Sequence, residues 1–253
     1  MSGFTADFSG AEVRVSPNFG PRRGVSRADM IILHYTGMET GEGAEAWLCN
    51  PSSEVSSHYL VHEDGRVVQM VRETDRAWHA GRGSWHGESD INSKSIGIEI
   101  VNPGNLAGHP AFPDAQIASV IRLCRDISAR LDVPKEQILA HSDVAPGRKI
   151  DPGPAFPWAV LHAAGIGHLP ESSHVADAAP LSLGNRGDAV ERLQSMLQLY
   201  GYGVEITGSF DSQTESVVQA FQLHFRQVKV DGVADAETQA LLAALVSGLA
   251  RLT

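Results

Sequence analysis

Residues Met30–Thr36 read MIILHYT, an uninterrupted apolar run that ends in a histidine, a tyrosine and a threonine. Turn formers bound it. Such a run is the pattern of a strand covered on both faces, as at the centre of an α/β sheet. His34 stands at its end, where sheets of this kind commonly release functional side chains, although a lone histidine beside an apolar run is more often a satisfied core residue. The choice turns on whether His34 finds a partner.

Working outward, Ser95–Asn102, SIGIEIVN, alternates strictly, so Ile96, Ile98 and Ile100 share one face of a strand while Gly97 and Glu99 share the other. A carboxylate in so apolar a strand sits either at a solvated edge or in a cleft where Gly97 leaves room for a ligand. Between the two runs, Gly43–Cys49 predicts a short helix. Val55–His62 and Arg66–Val71, joined by Glu63-Asp64-Gly65, predict a hairpin. Arg76–Gly81, RAWHAG, reads as a loop whose Trp78 and His79 either line a cleft or pack on the core rim. Asp114–Leu131 predicts an amphipathic helix with Asp114 as its N-cap, and Phe156–Ala164 a closing helix.

Leu139–Gly153, LAHSDVAPGRKIDPG, gathers His141, Lys149 and Asp151 in one loop that Pro146, Gly147, Pro152 and Gly153 keep from being helical. Imidazole and carboxylate are ordinary zinc ligands, and a catalytic zinc takes three protein ligands plus an open position. The loop supplies two. Taken alone, it reads better with His141 bonded to backbone and Asp151 as a turn former, because the ligand spacing matches no compact zinc motif.

After Gly165 the sequence loses large apolar residues, and from Leu181 it becomes helical. Asp188–Tyr200, Asp211–Arg226 and Asp235–Val246 each carry an apolar face. The last two open with one device, a glycine turn followed by an aspartate placed to cap (GSFDSQT, GVADAET). The unit shows no titratable cluster that suggests chemistry. The expected organisation is a domain over 1–165, a linker over 166–180 and a three-helix domain over 181–253.

With 253 residues, an ordinary apolar fraction and a net charge of −10, the chain can bury a core and is poorly matched to nucleic acid or an anionic membrane. Two cysteines, Cys49 and Cys124, imply no disulfide framework. The first residues lack a secretory pattern and no segment reaches spanning length, which predicts a cytoplasmic protein, or a periplasmic or wall-associated one if the native start was trimmed. Oligomeric state is not legible.

IILHYTG, SSHYLV, AWHAG, SIGIEIVN and AHSDVAPGRKIDPGPAF, in that order, resemble the AmpD-like zinc N-acetylmuramoyl-L-alanine amidases, which share a fold with peptidoglycan recognition proteins. The match runs from about Met30 to His162. The tail resembles the peptidoglycan-binding domain that often accompanies cell-wall hydrolases. The resemblance implies an α/β fold with a mixed central sheet flanked by helices, and a small C-terminal three-helix domain. It also implies Zn2+ held by His34, His141 and Asp151, with Glu99 and Lys149 as catalytic residues. Trp78, His79, Ala80 and Asn102 would be groove contacts, and His58 structural. The substrate implied is peptidoglycan or a muropeptide, cut between the lactyl group of N-acetylmuramic acid and L-alanine. The competing reading is a receptor of the same fold that binds muropeptides without cleaving them.

Overall fold

The computed structural model describes residues 4–170 and 178–249. Two compact units make it up: Met1–Gly83, Asp90–His141 and Asp151–Gly167 form the first, and Ser84–Ser89, Ser142–Ile150 and His168–Thr253 the second. Residues 171–177 of the expected linker lie outside the described residues.

The first unit is built on strands β1 (Ala11–Val13), β2 (Phe19–Pro21), β3 (Met30–Tyr35), β4 (Tyr59–Val61), β5 (Val67–Gln69), β6 (Asp75–Ala77), β7 (Ser95–Ile100) and β8 (Ile138–Ala140). Six of them form a mixed sheet in the order β1-β5-β4-β7-β3-β8, antiparallel only between β4 and β5, while β2 and β6 pair separately. The Arg76–Gly81 segment, expected as a loop, therefore starts as strand, with Arg76 opposite Gly20 and Ala77 opposite Phe19. Six residues are too few for an alternation to show through the Trp-His pair.

Met30–His34 are buried, as the run of apolar residues requires of a strand between two neighbours. Strand β7 is internal too, between β4 and β3, so Glu99 does not stand on a sheet edge. The hairpin turns at Gly65, whose φ of +87° and closeness to the helix that follows (an added Cβ would lie 2.7 Å from the Ala115 carbonyl) exclude a side chain.

Helix α1 (Gly41–Leu48) is capped by the Thr40 hydroxyl and lays Ala44 and Leu48 on Leu60, Val68, Met70 and Val101. One turn, α2 (Ile91–Lys94), leads into β7 and is capped by Asp90. The long helix α3 (Asp114–Leu131) buries Ile117, Val120, Leu123, Cys124 and Ile127, and its buried Gln116 donates to the Val61 and Val101 carbonyls at the ends of β4 and β7. Asp114 is the first residue of this helix, not its cap. Pro113 takes the cap position, and Asp114 instead places a negative charge in the first turn. A turn, α4 (His141–Val144), follows β8 directly, and α5 (Trp158–Ala163) is shorter than expected because Pro157 precedes it.

In the second unit, α6 (Asp188–Tyr200), α7 (Ser212–Phe225) and α8 (Ala236–Leu249) bury Val190, Leu193, Leu197, Val217, Phe221, Leu242 and Leu245. The repeated caps form as expected: Asp211 accepts from the Thr214 N–H and hydroxyl, and Asp235 from those of Thr238. A second repeat was not foreseen. Buried Gln194 accepts from the Thr207 and Gly208 N–H groups and donates to the Ser209 carbonyl; Gln222 accepts from Asp231 and Gly232 and donates to the Val233 carbonyl. Each glutamine thus satisfies the backbone of the turn before the next helix.

This unit also contains a buried polar cluster. Asp143 accepts from the Tyr202 hydroxyl at 2.7 Å and pairs with His224 Nδ1 at 2.7 Å. Asp143 comes from a segment distant in sequence from the helices. Trp85, also from a distant segment, is fully buried with its ring 5.0 Å from that of Tyr202. Among the described residues no helix is long and apolar enough to cross a membrane.

Candidate metal centre

The penultimate residue of β3 and the residue following β8 are both histidines, and the two strands are hydrogen-bonded neighbours in parallel register. That pairing brings His34 and His141 together at one end of the sheet, and Asp151, ten residues after His141, meets both. The Nδ1 atoms of His34 and His141 are 2.9 Å apart, and Asp151 Oδ2 lies 3.1 Å from the first and 2.9 Å from the second. All three residues are buried, at 1%, 2% and 7% exposure.

The outer nitrogen of His141 settles what these atoms can do. Nε2 lies 2.8 Å from the Ala80 carbonyl, which only accepts, so the ring carries its proton there and a neutral His141 turns the Nδ1 lone pair inward. That lone pair faces a carboxylate oxygen at hydrogen-bonding distance. Two acceptors so close need a cation between or beside them. Burial pushes the Asp151 carboxyl up, but its electrostatic interaction with the adjoining His141 and His34 imidazoles outweighs that and holds the group well below the usual carboxylate range, so it is an anion. Two imidazole nitrogens and a carboxylate oxygen in this arrangement suit a divalent ion: ligands at ~2.0–2.1 Å from a tetrahedral zinc lie roughly 3.3 Å apart, within a few tenths of an ångström of the separations here.

Glu99 is His34's register partner on β7 and is partly buried. The RAWHAG segment lies against His34 and His141. His79 Nδ1 is 3.0 Å from His34 Nε2, and Ala80 supplies the carbonyl facing His141. Burial, with the imidazoles of His34, His58 and His141 and the Arg22 guanidinium, holds His79 well below the ordinary histidine range, so its ring is neutral. Gly97, which one of the two readings of its strand had leave room for a ligand, makes room for His79: an added Cβ would lie 2.5 Å from its Cγ.

The remaining expected site residues are placed as follows. Trp78 is partly exposed, and its backbone N–H donates to the Ser56 hydroxyl. Asn102 is buried, donating to the Pro110 carbonyl and accepting from the Gly104 N–H, which shapes the loop after β7. His58 is buried between the Gly97 N–H and the Asp75 carbonyl and is structural in its bonding. Lys149 is partly exposed, in the second unit, two residues before Asp151. Asn92 was not singled out from sequence. It is buried on α2, and its side-chain oxygen accepts from the His79 and Ala80 N–H groups, fixing the segment that backs both histidines. An asparagine in a polar stretch carries no signal of that.

A mixed α/β sheet with a buried His-His-Asp centre able to hold a metal ion at one end, and a carboxylate in register beside it, fits the class of metal-dependent hydrolases. The N-acetylmuramoyl-L-alanine amidase family matches residues 24–154, and a peptidoglycan binding domain family matches residues 186–242. The chain belongs to the N-acetylmuramoyl-L-alanine amidase family. N-acetylmuramoyl-L-alanine amidase AmiD of Escherichia coli is 39% identical to it over 236 residues, 87% of this chain and 83% of that protein. The solved complex of E. coli AmiD with the substrate anhydro-N-acetylmuramic acid-L-Ala-D-γ-Glu-L-Lys superposes with a TM-score of 0.77 at 37% identity, covering 93% of both chains. AMPDH3 from Pseudomonas aeruginosa gives 0.72 at 30% identity, covering 97% of this chain and 98% of its own.

Proposed function

We propose that this protein is a zinc-dependent amidase that hydrolyses the bond between the lactyl carbonyl of N-acetylmuramic acid and the amine of L-alanine, in peptidoglycan or its fragments. The observation that carries this reading is the convergence of two imidazole nitrogens and a carboxylate oxygen within 3.1 Å of one another in the buried core. The complex of AmiD with an anhydromuramyl tripeptide supports the substrate class.

His34, His141 and Asp151 hold the metal, and zinc bound there supplies Lewis acidity, which brings a water's pKa towards ~7 and polarises an amide carbonyl. Glu99 takes the proton of the attacking water and delivers it to the departing amine. The Lys149 ammonium balances negative charge developing on the carbonyl oxygen. Trp78 contributes an apolar wall to the groove. In this reading 1–165 carries the chemistry and 181–253 engages the wall.

The test is mass spectrometry of muropeptides incubated with zinc-loaded protein. Products with a free lactyl group on muramic acid, and peptides beginning at L-alanine, support the amidase. A shortened peptide still joined to sugar excludes it. Binding without turnover, unchanged in Glu99→Ala, makes the protein a receptor. Running soluble anhydromuropeptides beside intact sacculi separates a role in recycling fragments from one on the polymer.

A further inference from the structure

An imidazole presents Nδ1 as a ligand only if its proton resides on Nε2, and the ring's own preference for that tautomer is slight beside the hydrogen bonds its nitrogens make. The groups behind His34 select it. Ser95 has one hydroxyl proton, and its Oγ lies 2.6 Å from the Ile91 carbonyl, which only accepts. The proton is therefore committed to Ile91, and Ser95 Oγ can meet His79 Nε2, 3.3 Å away, only as an acceptor. His79 must then carry its proton on Nε2 and present a lone pair at Nδ1. That lone pair faces His34 Nε2 at 3.0 Å, so His34 is protonated at Nε2 and bare at Nδ1, the atom turned to His141 and Asp151.

Each link is held by backbone. Ile91 and Ser95 are four residues apart across the turn of α2 into β7, the His79 N–H is fixed by Asn92, and the ring lies over Gly97 in space no other residue type would leave.

We propose that His79, backed by Ser95, is a positioning residue that fixes His34 in its metal-binding tautomer. This rests on the metal-centre reading above and deepens it. Ligating histidines generally donate their second N–H to an outer partner, and removing such partners costs about 10–100-fold in metal affinity. Here the partner is a neutral imidazole in place of the more usual carboxylate or carbonyl, so the site adds no second negative charge behind His34.

Zinc affinity, measured by chelator competition on the full chain, tests this with no dependence on turnover. His79→Phe keeps a flat ring over Gly97 and lacks the acceptor, and its expected loss is about 10–100-fold. His79→Asn offers an amide oxygen near the place of Nδ1 and should recover most of the affinity. If His79→Phe fails to fold, Ser95→Ala carries the test: freed from its fixed acceptor, His79 samples both tautomers and affinity drops less than for His79→Phe. Long-range 1H–15N spectra of the zinc-loaded wild type should show His79 protonated at Nε2. Wild-type zinc affinity in His79→Phe, or in Ser95→Ala where that variant stands in, overturns the proposal, as does a His79 proton on Nδ1. A wild type that binds no zinc sinks the metal reading first, and the two failures are thereby distinguished.

Discussion

His34 and Glu99 are register partners on the adjacent parallel strands β3 and β7, so an imidazole and a carboxylate leave one face of the sheet side by side. Because Glu99 is no member of the His-His-Asp cluster, removing its charge should spare the metal and remove proton transfer. Glu99→Gln is expected to bind zinc as the wild type does, while kcat falls by about 10²–10⁴. Parallel zinc titration and steady-state kinetics check it; equal loss of both would make Glu99 a structural support of the site.

How far the sequence carried this account depends on the range of the signal. MIILHYT and SIGIEIVN announce buried strands because their patterns are local, and the helical caps at Asp211 and Asp235 are legible for the same reason. His34 was not readable as a ligand from its own run, since its partners lie 107 and 117 residues away, and only the resemblance joined them. His79 and Gly97 were each noticed, but a sequence does not say that one ring occupies the space the other leaves. Asn92, Gln194 and Gln222 were invisible because buried amides that satisfy backbone follow no periodicity.

Gly97→Ala offers a test of that packing. A Cβ there meets the His79 ring at 2.5–2.7 Å, and the strand conformation itself accepts alanine, so any effect comes from displacing the ring. Overpacking of this kind costs about 1–3 kcal/mol. Urea unfolding should register that loss, and zinc affinity should fall with it; a variant indistinguishable from wild type in both would mean the ring moves freely.

His58 makes stability depend on pH. Burial, then the nearby Arg22 charge, brings its imidazole down to about 3 from an ordinary 6.5, so the folded protein keeps it neutral while the unfolded chain takes up a proton below 6.5. Its contribution is complete above pH 6.5 and drains away as pH falls towards 3, at up to ~1.4 kcal/mol per pH unit. Unfolding free energies of wild type and His58→Gln between pH 7 and pH 5 should show the steeper decline in wild type, by close to one proton.

In the second unit, Asp143→Ala removes an acceptor of the Tyr202 hydroxyl and a partner of His224, each buried. Breaking one side of a buried pair costs on the order of 3 kcal/mol. Thermal unfolding should show a drop of that size, and Asp143→Asn, which keeps an acceptor for Tyr202, should lose less. Equal stability of all three forms would show the cluster to be energetically neutral.

The most direct test of the metal centre is zinc stoichiometry by elemental analysis after dialysis against buffered zinc, on the wild type and on His34→Ala, His141→Ala and Asp151→Ala. The account predicts one zinc per chain in the wild type and a large fraction of it lost in each variant, with folding confirmed by circular dichroism. Folded variants that all retain wild-type zinc, or a folded wild type that holds none, would contradict it.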